Sequence, residues 1–99
     1  MSDLFEQISA LIDASERDRD RIERTLTDGY AQALALEAER WRLEKRLAEV
    51  AQGLDGGDTM VKTRELTRIS ERLSGNEGEL AELRGRLGEL RRYADAVFA

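Results

Sequence analysis

From Leu66 to Val97 the chain repeats apolar positions at alternating spacings of three and four: Leu66, Ile69, Leu73, Asn76, Leu80, Leu83, Leu87, Leu90, Ala94 and Val97. Such a heptad seam keeps one narrow apolar stripe turned toward a partner helix, and Asn76 is its one polar member. A second seam runs through Phe5, Ile8, Ile12, Ser15, Arg19, Ile22, Leu26, Gly29, Ala33, Leu36, Arg40, Leu43, Leu47, Val50 and Leu54, with eleven of these fifteen positions apolar. The pattern predicts a first helix over residues 3–53, opening at Ser2 or Asp3, where Asp3 and Glu6 have capping-box spacing. Its weak points are the charged stretch 15–24 and Thr27-Asp28-Gly29, where glycine costs about 1 kcal/mol relative to alanine.

Three glycines in Gly53-Leu54-Asp55-Gly56-Gly57-Asp58 stop this helix, and Asp58 or Thr59 can cap the next. A second helix is predicted over 58–98. A short connection between two long helices makes them antiparallel neighbours. Folding about residues 56–57 sets Leu47 against Leu66, Asn76 near Leu36, Gly29 and Ala33 against Leu80 and Leu83, Leu26 against Leu87, and Ile22 against Leu90. A buried Asn in such a seam fixes register or oligomeric state at a cost in stability. Gly75, Gly78, Gly85 and Gly88 lie off the second seam, and Asn76 with Glu79 could cap a fresh helix. The heptad phase nevertheless crosses Ser74–Gly78 without an insertion, so one helix with a weak point is expected there.

Apolar residues also lie off the first seam: Leu4, Leu11, Tyr30, Leu34 and Trp41. They widen its apolar arc beyond what a two-helix seam needs. Two readings fit: a second copy of the chain covers them, or they are scattered surface residues of the ordinary kind. The first is favoured, because a lone helical pair buries a thin core that oligomerisation supplements. The register also leaves residues 3–14 beyond the end of the second helix. Leu4, Phe5, Ile8, Leu11 and Ile12 on that overhang are expected at a dimer interface or as a docking site for another protein. The fold class expected is therefore all-α: an antiparallel coiled-coil helical hairpin in one domain, dimerising into a four-helix bundle.

Composition agrees with long helices. The 99 residues contain no proline, 37% are charged and 5% aromatic, which is the usage of coiled coils. The net charge is −5, of which residues 1–16 contribute −4 through Asp3, Glu6, Asp13 and Glu16, and Asp55 and Asp58 a further −2. Arg17, Arg19, Arg21 and Arg24 alternate with Asp18, Asp20 and Glu23 and cancel locally. With no net basic face there is little counterion release to drive nucleic-acid binding. A membrane-surface role is disfavoured by an N-terminal segment carrying only acids. No signal peptide and no spanning apolar run is visible, and a cytoplasmic protein is expected.

Histidine and cysteine are both absent, which removes the commonest general base, the thiol nucleophile and the usual zinc ligands. No nucleotide fingerprint precedes a helix. No catalytic, cofactor or metal site is predicted.

The acidic turn is the one local feature suited to chemistry. Asp55 and Asp58 would sit at the end of a rod of about 60 Å, at 1.5 Å per residue for 40 residues. In outline this is similar to the acidic-tipped helical hairpin of Gre-type transcription cleavage factors. That resemblance implies a regulator that inserts its tip into a larger enzyme such as RNA polymerase and holds magnesium there. It covers two acids in a turn, and the globular domain that follows the Gre hairpin has no counterpart in these residues. Asp and Gly are also good turn residues in their own right. The expected function is a non-catalytic structural or adaptor protein acting by self-association and protein binding, with the tip-inserting regulator as the alternative.

Overall fold

In the computed structural model, residues 2–13, 18–53 and 59–98 are described, and all three segments are helical, with no strand among them. The helices are α1 (Ser2–Asp13), α2 (Arg19–Gln52) and α3 (Thr59–Phe98). Asp55 and Asp58, the candidate tip, lie outside the described residues, as does Ser15.

The expected single helix over 3–53 is divided within its charged stretch. Asp18 has extended backbone dihedrals (φ −79°, ψ 100°) and its side chain accepts from the Arg21 amide, so it caps a new helix. An N-cap of this kind satisfies a donor that the first turn leaves unpaired. At the far end, the Gly53 N–H turns back onto carbonyls of the last turn of α2. Lys62 Nζ of α3 donates to the Gly53 carbonyl, tying the two helix ends together.

Cross-helix partners fix the direction of α2 and α3. As α2 is followed from Gly29 through Leu36 and Glu39 to Arg46, its partners in α3 run backward: Leu87, Asn76, Arg72 and Glu65. The helices are antiparallel. Asn76 is buried and its Nδ2 donates to the Leu36 carbonyl at 2.9 Å, where the folded register set it. Gly29 meets Leu87 rather than Leu80 or Leu83. Helical side chains lean toward their own N-terminus, so Leu87 reaches back by about a turn to cover the glycine. α3 passes through Ser74–Gly78 without interruption.

The overhang is replaced by an intrachain contact, correcting the expectation for its five apolar residues. α1 packs on both α2 and α3. Ile8 is 0% and Leu11 4% exposed, and Leu4, Phe5 and Ile12 are partly buried against the same core. Arg86 of α3 donates to Ser9 at 3.5 Å across this contact. The reason is local: once Asp18 starts a fresh helix, a short connection lets the amphipathic α1 bury its apolar stripe on its own chain, where loop closure is entropically cheap.

The result is a rod of 59 × 17 × 15 Å, with a radius of gyration of 18.6 Å against about 13 Å for a compact domain of this length. It is thick at one end, where Ile8, Leu11, Ile22, Leu26, Leu83, Leu87 and Leu90 join the three helices. Toward residues 43–50 and 62–73 it is a two-helix rod, with Leu43, Leu47, Leu66 and Leu73 only half-buried. Ion pairs flank that stretch: Arg46 with Glu65 at 2.7 Å, Arg72 with Glu39 at 3.2 Å, and Arg40 with both Glu44 and Glu77. Arg40 therefore occupies a seam position by reaching out to acids on both helices. These pairs are exposed and screened by water, so each contributes little to stability. No helix among the described residues is long and apolar enough to cross a membrane.

Candidate interface on the outer face of α2

Tyr30, Leu34 and Trp41 are 43%, 66% and 62% exposed. At 3.6 residues per turn they fall within about 40° of one another, on one face of α2. Neighbouring faces of the helix are occupied. Ile22, Gly29, Ala33 and Leu36 are buried in the seam, while Arg21, Arg24, Thr25 and Asp28 lie along α1. The stripe looks out on the side that α1 leaves open.

Each stripe residue has polar company. Lys45 Nζ sits 5.3 Å from the centre of the Trp41 ring, a cation–π contact of about 0.5–1 kcal/mol at an exposed site. Glu37, between Leu34 and Trp41 on this face, pairs with Arg84 of α3. Tyr30 and Arg91 line the same groove, and the Tyr30 hydroxyl, with the charge of Asp95, raises the Arg91 pKa above its ordinary value. Arg46 is shifted the same way by its hydrogen bond and charge interaction with Glu65. Both arginines stay charged throughout the physiological range.

Below Tyr30 the stripe runs into a groove of about 690 Å³ between the start of α2 and the end of α3. Its apolar surface comes from Ile22, Leu26, Ala94 and Phe98, with Thr27 and Tyr30 on the α2 wall and Arg19, Glu23, Arg91 and Asp95 charged at the rim. Arg19 stands over the Phe98 ring at 5.8 Å and pairs with Glu23 at 3.0 Å. This explains a charged residue at a seam position: its guanidinium caps the groove instead of entering the core.

Of the residues singled out from sequence, Tyr30, Leu34 and Trp41 share this face, whereas Leu4, Phe5, Ile8, Leu11 and Ile12 are taken up by the chain's own core. Asn76 lies elsewhere in the seam, and its Oδ1 is buried without a hydrogen-bond partner among the described residues. Asn76→Leu removes that orphaned acceptor and adds apolar contact, while Leu36 keeps its place in the helix. A stability gain of about 1 kcal/mol is expected, read as a Tm rise of about 4–8 °C; a fall would show that the amide contributes more than it costs. The groove's α3 half was not singled out as a site: the folded register placed Ala94 beside Arg19 only as a seam member, and set Phe98 near Ser15. Met60 and Val61, 67% and 56% exposed beside the turn, had no periodic signal to mark them.

Among the described residues no group of three or more acidic, His or Cys side chains is placed to hold a metal ion. No protein-family model, curated protein or solved structure matches the chain.

Proposed function

We propose that this is a non-catalytic protein of the structural or adaptor kind: an antiparallel coiled-coil hairpin whose work is self-association into a helical bundle and presentation of its remaining surface to a protein partner. The observation that supports it best is the Tyr30–Leu34–Trp41 stripe and its continuity with the apolar groove. Large exposed apolar side chains aligned along one face differ from the scattered ones any soluble surface carries. Two copies would cover six such side chains. At about 1.5–3 kcal/mol for each full burial, discounted because they are already partly covered, the gain is comparable to the cost of association, about 4–15 kcal/mol. The expected dimer is one that dissociates on dilution.

Trp41 is the only tryptophan in the chain, so its fluorescence reports on this face alone. As protein concentration is raised, its emission is expected to move to shorter wavelength while the helical circular dichroism signal stays constant per residue. Emission that stays at the solvent-exposed position at every concentration would overturn this use of the stripe.

A further inference from the structure

Granted self-association through the outer face of α2, on which this inference rests, the spacing of residues along that face decides how two copies meet. Trp41 lies two turns to one side of Leu34, and Thr27, on the wall of the groove, lies two turns to the other. Each is about 10 Å away along the helix. A projecting side chain and a hole are thus equidistant from a single point. A twofold axis passing through Leu34 at right angles to α2 carries Trp41 of each copy onto Thr27 of the other and sets the indole in the groove, twice in one interface. A self-complementary contact of this kind is what a twofold dimer requires.

The same axis orders the charges. Lys45 and Glu23 are eleven residues to either side of Leu34, so each lysine comes opposite the other copy's glutamate. Tyr30 comes opposite Ala38, large against small. With the two α2 helices parallel instead, every residue faces its own copy: Lys45 meets Lys45, Glu23 meets Glu23, Trp41 meets Trp41, and both grooves stay empty. Like charges placed together disfavour an interface, whereas complementary ones set orientation. Glu23 already pairs with Arg19, and Lys45 already lies by Trp41. Their cross-copy pairing is accordingly a rim contact that selects direction, while Trp41 in the groove supplies most of the buried apolar surface.

We infer that two copies pair α2 to α2, antiparallel, about a twofold axis at Leu34, each placing Trp41 in the other's groove between α2 and α3. The chain has no cysteine, so single-cysteine variants and a short thiol–thiol crosslinker, reaching about one helix diameter, read the arrangement directly. Leu34→Cys is expected to crosslink with itself. Glu23→Cys mixed with Lys45→Cys is expected to give the heterodimer, while Glu23→Cys alone does not react, because its two copies would be about 33 Å apart. Self-crosslinking of Glu23→Cys as fast as Leu34→Cys would overturn the antiparallel arrangement. Absence of any crosslink in a sample whose scattering mass is two chains would overturn this geometry and leave self-association standing; a single-chain mass at every concentration would overturn both. As a second variant pair on exposed positions, Glu23→Lys is expected to weaken the dimer about tenfold and added Lys45→Glu to restore it. Failure of restoration would also overturn the pairing.

Discussion

Leu83→Ala is expected to lower the unfolding free energy by about 2–5 kcal/mol, the range for emptying a fully enclosed leucine site. Leu83 is 0% exposed and lies in the cluster that joins all three helices. A chain of this size has about 5–15 kcal/mol of stability in total, so the loss is a large fraction, and a Tm fall of about 10 °C or more should accompany it. Urea melts followed by circular dichroism, at one fixed protein concentration because association adds to stability, give the number. Met60→Ala is the control: at 67% exposure, and away from the outer face of α2, it removes little from the fold. A loss at Leu83 below about 1 kcal/mol would mean that the three-helix core is not closed.

Gly29→Leu separates two effects of opposite sign. On helix propensity alone, leucine in place of glycine gains about 1 kcal/mol. In the fold, a Cβ at this position would lie 2.2 Å from Cδ2 and 3.2 Å from Cγ of Leu87, and Leu87 is itself buried with nowhere to go. Overpacking of this sort costs about 1–3 kcal/mol, and more when further atoms follow the Cβ. Packing wins, and a net loss of about 2 kcal/mol is expected in the same melts. Adding Leu87→Ala should recover part of it. A stability gain in the single variant would place Gly29 away from α3.

The seam and the fold-back of the long helices were legible because period carries them. Asn76 came to Leu36, and α3 kept its phase through its glycines. The break before α2 falls in the charged stretch 15–24 already marked as a weak point, but Ile12, Ser15, Arg19 and Ile22 keep heptad spacing across it, so period alone did not divide the helix. The signal was chemical instead, an Asp18 whose carboxylate can cap the amide of Arg21. Amphipathicity likewise says that Ile8 and Leu11 must be covered, but not by which surface. A chain that turns back covers them at home, at lower entropic cost than a second molecule would. Tyr30, Leu34 and Trp41 stood out because they are large and off the seam. The groove beside them did not, since Ile22, Leu26 and Phe98 look like ordinary core residues until α1 is found on the opposite side of α2.

Self-association through that open face is the central claim, and absolute mass by light scattering over a concentration series, for the native chain and for Leu34→Glu, tests it most directly. The account predicts a native mass rising to that of two chains and a Leu34→Glu mass that stays at one, with unchanged helix content in both. A native chain that remains single at high concentration, or a Leu34→Glu variant that dimerises as well as the native one, would contradict it.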